Sequence, residues 1–182
     1  MRPRRLGRED EGMHTDVIFI GGRSGVGKSS VAAEASHLLG LADVQHAVIE
    51  GDNLDQAHPP PWRSGIPLAE RNLAAMWANY REAGYSRLIF TNTVSVLQVA
   101  ELAAALGGEV RSMAVLLTST DAVAAGRLAK REIGTALEEH VTRSVAAARR
   151  LDEGAPDAVR VATDGRAVAE IAREVLERAG WI

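Results

Sequence analysis

Gly22-Arg23-Ser24-Gly25-Val26-Gly27-Lys28-Ser29 matches the pattern G-x-x-x-x-G-K-[ST], and each fixed position has a physical task. The glycines let the backbone curl so that successive N–H groups point inward at phosphate oxygens. Lys28 is placed to reach the β- and γ-phosphates of a nucleotide, and the Ser29 hydroxyl to ligate Mg²⁺. The helix that starts there aims its positive dipole end at the same phosphates. Gly22, Arg23, Ser24, Gly25, Val26, Gly27, Lys28, Ser29 and Ser30 are therefore the expected cradle for ATP, with Mg²⁺ beside it.

The surroundings of the loop have the required order. Val17-Ile18-Phe19-Ile20 is a short apolar run closed by Gly21-Gly22, which reads as a buried strand, and Lys28 to Leu39 reads as a helix ending at Gly40. Further strands are expected at Ala47–Ile49, Arg87–Thr91, Met113–Leu117 and Ala158–Ala162. Helices are expected at Leu68–Ala83, Val94–Leu106, Asp121–Ile133 and Thr135–Leu151. Four of the six prolines fall between His58 and Pro67, so that stretch is irregular. In the last helix Val168, Ile171, Ala172, Val175, Leu176 and Ala179 share a face, with Asp164 as the expected cap. Strands alternating with helices imply an α/β fold. The expectation is one domain from residue 16 to 182 with a five-stranded parallel sheet, order 2-3-1-4-5, helices on both faces and a small helical lid after the fourth strand.

Composition agrees with one globular domain. The chain has 182 residues, 46 % of them hydrophobic, and a formal net charge of −3. That balance provides no broad basic surface, so nucleic acid is not an expected partner. There are no cysteines, which excludes disulfides, thiolate metal sites and cysteine catalysis. No stretch approaches the roughly 20 apolar residues that span a bilayer, so no membrane partner is expected either. Residues 1–15, with Arg2, Arg4, Arg5 and Arg8, read as a floppy tail without a signal-peptide apolar run, and Met13 stands as an alternative start. A cytoplasmic location is expected.

A phosphate loop alone does not separate a kinase from a switch GTPase or a motor ATPase. The GTPase reading needs an Asp-x-x-Gly switch and an Asn-Lys-x-Asp guanine reader, and neither is present. The third strand runs into Thr91-Asn92-Thr93 with no acidic residue in the usual metal-holding place, which weakens the motor reading. Asp52 supplies the acid instead. It follows the second strand, and in a parallel sheet ligands collect beyond the carboxyl ends of the strands. There it can accept a proton from a substrate hydroxyl, hold metal-bound water, or do both. Gly51-Asp52-Asn53 is also good turn chemistry, and Glu50 and Asp55 are weaker candidates.

Gly22 to Ser29, Gly51-Asp52, His58-Pro59, Ser64-Gly65-Ile66-Pro67-Leu68 and Arg71 together resemble the gluconate kinase family of shikimate-kinase-like P-loop kinases. The likeness runs over residues 17–77, and Gly51-Asp52-Asn53 is equally similar to adenylylsulfate kinases. It implies transfer of the γ-phosphoryl group of ATP to a hydroxyl of a small molecule, with Asp52, His58, Arg63, Arg71, Thr91, Asn92 and Thr93 facing that substrate. Two departures bear on the acceptor. Asp52 and His58 stand three residues further apart than in the family pattern, and Thr91-Asn92-Thr93 replaces a segment that carries a base for a sugar-acid carboxylate. The expected acceptor is therefore a gluconate-like polyol, a sugar or a hydroxylated antibiotic. A nucleotide kinase and a nucleotide-binding module without turnover are the alternatives.

Arg127 and Arg131 lie four apart on one predicted helix face. In small kinases arginines at this place stack on adenine and neutralise charge on the transferring group. They join Lys28 and Asp52 as the expected catalytic set, with Arg143 behind them and Arg149 and Arg150 at the surface. Trp62, Trp77 and Tyr80 read as packing around the substrate helix.

Overall fold

The computed structural model describes residues 14–130 and 137–182. Most of the expected tail, and Arg131, lie outside the described residues. Five parallel strands form one sheet: β1 (Thr15–Gly21), β2 (Ala47–Glu50), β3 (Arg87–Thr91), β4 (Val110–Thr118) and β5 (Val159–Ala162). Their order is β2-β3-β1-β4-β5, as the alternation of strands and helices predicts. The helices are α1 (Lys28–Leu41), α2 (Leu68–Glu82), α3 (Val99–Leu106), α4 (Asp121–Ala129), α5 (Leu137–Gly154) and α6 (Val168–Arg178).

Side chains of a strand alternate between faces, and β1 divides its residues accordingly. Ile18 and Ile20 join Ile89, Val115, Leu117 and Val161 under α1 and α6, where Val31, Ala35, Leu39, Ile171 and Val175 close the layer. Val17 and Phe19 point the other way, to Leu88, Phe90 and Ile49, and are covered by Leu73 and Trp77 of α2 and Leu102 and Leu106 of α3. Phe19 and Phe90 meet edge to face with centroids 5.7 Å apart. On the same side Leu151 of α5 packs with Leu116 and Val96. Each strand of the centre is thus apolar on both faces, which is why β1 and β3 read as continuous hydrophobic runs.

Several local expectations are corrected. Helix α1 continues through Gly40, and the left-handed residue after it is Asp43 at φ 54°. Asp164 does not cap α6: it accepts from the Thr120 N–H at 2.9 Å, while Glu170 reaches back to the Ala167 N–H at 3.2 Å. A short 3₁₀ turn at Ser95–Leu97 precedes α3, so that helix is shorter than expected. Trp77 is fully buried and donates its indole N–H to Thr15 Oγ1 at 3.1 Å, whereas Trp62 is 63 % exposed under the Arg63 guanidinium.

Candidate active site

The loop between β1 and α1 is shaped by glycine where no other residue fits. Gly25 has φ 83°, and a Cβ there would stand 2.7 Å from the Ala124 carbonyl oxygen of α4. Helix α1 opens on Gly27 with no side-chain cap and no acidic residue in its first turn. Its first N–H groups and its dipole thus remain directed at whatever occupies the loop, a fit for phosphate rather than for a cation. Lys28 is mostly buried, and its ammonium donates to Gly22 O at 2.9 Å and Arg23 O at 3.4 Å. That pose folds the charge over the mouth of the loop.

A cavity of about 290 Å³ joins this loop to the end of β2. Ser24, Lys28, Ser29 and Ser30 line one side, Asp52 and Thr93 another, and His140 of α5 a third. Asp52 follows β2 on a 3₁₀ turn, Gly51–Asn53. Burial pushes its carboxyl above the usual 3.8, with Glu50 and Asp55 adding to the rise, while Lys28 and the Thr93 backbone N–H that donates to it oppose the shift. The residue itself remains exposed to solvent. Glu50, next to it, accepts the Thr91 hydroxyl at 2.6 Å.

The residues expected around a nucleotide and acceptor are distributed as follows. Lys28, Ser29, Asp52 and Thr93 meet in the one cavity. Thr91 is wholly buried with its hydroxyl on Glu50, so it bears on an acceptor only through that carboxylate. Asn92 turns its side-chain oxygen to the Val94 N–H at 2.9 Å and holds the strand end. His58, Arg63 and Arg71 are exposed and lie outside the lining of the cavity. Arg23 departs from its expected place: its side chain is 3 % exposed and turns to α4 and α5, its Nε donating to Ser144 Oγ at 2.8 Å and its Nη1 to Asp121. Arg127 is fastened to the loop backbone, donating to Val26 O at 3.0 Å, and to the oxygens of Thr163 at 3.0 and 3.2 Å. The expected lid helices are therefore tied to the loop, α4 through Arg127 and α5 through Ser144. Arg143 is exposed and pairs with Glu139 at 3.5 Å.

His140 escaped the sequence reading. It stands beside Glu138 and Glu139 on a helix that reads as solvated, and only the packing of α5 against the loop brings it to the cavity. Among the described residues no three His, Asp or Glu side chains cluster as a metal cage. The Ser29 hydroxyl beside the loop suits a Mg²⁺ that keeps waters and shares nucleotide phosphates.

No family model and no curated protein matches the chain. Solved structures do. It is similar to a gluconokinase from Sinorhizobium meliloti 1021, at 26 % identity, TM-score 0.57 and 91 % coverage of each chain. It is similar to a tunicamycin resistance protein of Deinococcus radiodurans, at 19 % identity, TM-score 0.61, covering 92 % of this chain and 97 % of that one. A shikimate kinase from Acinetobacter baumannii, in complex with shikimate, matches at 16 % identity and TM-score 0.58 over 90 % and 92 %. Among the described residues no helix is long and apolar enough to cross a membrane. With its sheet order and its phosphate loop between β1 and α1, the chain has the fold of the P-loop small-molecule kinases.

Proposed function

We propose that the chain is a phosphotransferase that moves the γ-phosphoryl group of ATP to a hydroxyl of a small molecule. One observation carries the reading: the cavity that holds the loop residues Lys28 and Ser29 also holds Asp52. Donor cradle and candidate base therefore face one cavity. In the transfer, the acceptor oxygen forms a bond to phosphorus, the bond from that phosphorus to the bridging oxygen breaks, and ADP leaves. Asp52 takes the proton of the attacking hydroxyl, and its upward-shifted carboxyl makes it a stronger base than an ordinary aspartate. Lys28 meets the charge on the transferring group. Ser29 and Asp52 would hold Mg²⁺, which would supply charge neutralisation at the phosphate oxygens.

The acceptor we infer is a neutral polyol, sugar, cyclitol or hydroxylated antibiotic rather than gluconate. Thr91 is committed to Glu50, and the segment after β3 offers Asn92 and Thr93, hydrogen-bonding groups without a fixed positive charge. The names of the similar structures span a gluconokinase and a tunicamycin resistance protein, so the fold accommodates chemically different roles. Release of ADP with Mg²⁺, measured across a panel of hydroxylated acceptors, tests the reading. Nucleotide binding without turnover on any of them would make the chain a nucleotide-binding module instead.

A further inference from the structure

A second cavity, about 360 Å³, lies behind the phosphate loop, between the end of β4 and the C-terminal half of α5. Its walls are mixed: Leu117, Leu151 and Ala148 are apolar, and Arg23 and Ser119 are polar. Arg23 and Ser119 each leave a buried side-chain atom without a hydrogen-bond partner, Arg23 Nη2 and Ser119 Oγ. Such atoms are costly unless something pairs with them. Arg23 is 97 % covered by the protein, being 3 % exposed, and its other two nitrogens are spoken for by Ser144 and Asp121. The remaining Nη2 is a donor and cannot accept, so its partner must bring an acceptor oxygen.

Charge narrows the class. Arg23 and Arg149 line the cavity against one acid, Asp152, and that carboxylate is taken by Arg160, whose Nε donates to it at 3.0 Å. Arg23 is itself paired with Asp121, so the charge left over on the lining is the single positive one of Arg149. A single carboxylate answers both needs, since its two oxygens can meet the guanidinium and the Ser119 hydroxyl. The leucine and alanine walls ask for an apolar body, and the volume is that of a small-molecule pocket.

We propose that this cavity is a binding site for a small apolar monocarboxylate, held by Arg23 Nη2 and Ser119 Oγ and separate from the phosphate cavity. The site does not depend on the phosphotransferase reading, since none of the side chains that hold the acid lines the nucleotide cavity.

The test uses the full chain, saturated with a non-hydrolysable ATP analogue so that the phosphate cavity is filled. Acetate, isobutyrate and benzoate are titrated by calorimetry and thermal shift, beside benzyl alcohol and isobutanol as uncharged counterparts. At least one carboxylate is expected to bind one-to-one and raise Tm, while its uncharged counterpart does not. Ala148→Trp, which fills the cavity from α5, should abolish that shift. Ser119→Ala should weaken binding about tenfold or more, the loss of one hydrogen bond to a charged group. Absence of binding by all three acids overturns the proposal. So does equal binding of the uncharged compounds, or undiminished binding by both variants. Binding that the ATP analogue displaces also overturns it, because the acid would then sit in the phosphate cavity. Should Ala148→Trp not fold, Ser119→Ala decides alone.

Discussion

Arg23 Nε donates to Ser144 Oγ at 2.8 Å, joining the phosphate loop to helix α5 across 121 residues of sequence. The Ser144 hydroxyl in turn donates to Ser24 O at 2.9 Å, so the connection begins and ends on the loop. With Asp121 on Arg23 and Arg127 on Val26 O, both helices after β4 are pinned to the nucleotide cradle. Ser144→Ala would leave the Arg23 Nε buried and unpaired. A loss of about 1–3 kcal/mol in unfolding free energy is expected, measured by urea denaturation. Nucleotide affinity should fall with it, because the loop loses its outer brace.

Lys28→Ala is expected to keep the fold, since the hydrogen bonds from Lys28 to Gly22 O and Arg23 O stay within the loop and join it to no other element. It should remove nearly all phosphoryl transfer, because its charge acts where charge develops in the transition state. Melting temperature and ADP release, taken together, check this. Turnover equal to that of the parent chain would sink the kinase reading.

Asp52→Asn should lower kcat by roughly 10²–10⁴, the range of a positioned general base. The pH dependence has a definite sign. Burial raises the Asp52 carboxyl above 3.8, and only the ionised form accepts a proton. Turnover should therefore fall as pH drops through that raised value, and the acid limb should vanish in the variant. A raised carboxyl also favours folding at low pH and loses that contribution as pH rises through it. Asp52→Asn is accordingly expected to leave stability at neutral pH equal or higher. A variant both unfolded and inactive would return Asp52 to a turn residue.

Asp164 behaves in the opposite sense. Backbone and side-chain hydrogen bonds from Thr120 hold its carboxyl below 3.8. Its contribution to stability is present at neutral pH and is lost as pH falls through the depressed folded-state value. The difference in unfolding free energy between the parent and Asp164→Ala should be largest at neutral pH and close progressively below 3.8. A difference that does not change with pH would show that the link to Thr120 carries no charge component.

For the acceptor, direct competition between gluconate and a panel of neutral polyols, sugars and cyclitols at equal concentration is the sharpest comparison. A neutral compound is expected to win in kcat/KM, which measures discrimination. Arg63 and Arg71 are exposed on and beside α2, outside the cavity lining. Clear preference for gluconate would mean that one of them turns in to meet its carboxylate, and the neutral-acceptor reading would fall.

The sequence by itself determined the sheet order, the position of the loop and the place of Asp52. These are local matters: glycines that permit the curled backbone, apolar runs at the periods of strand and helix, and an acid placed directly after a strand. Only the tertiary structure decided where the long side chains go. Arg23 sits inside the phosphate motif and reads as a nucleotide contact, yet its guanidinium turns under the loop to Asp121 and Ser144. Thr91 reads as a substrate contact and is sealed behind Glu50, while Asp164 reads as a helix cap and serves Thr120. His140 reads as part of a solvated helix and comes to the phosphate cavity. In each case the deciding partner is remote in sequence, and a flexible side chain settles on it only once the helices have packed. Backbone geometry is written in neighbouring residues; the destination of a buried charge is set by whichever counter-group the fold places beside it.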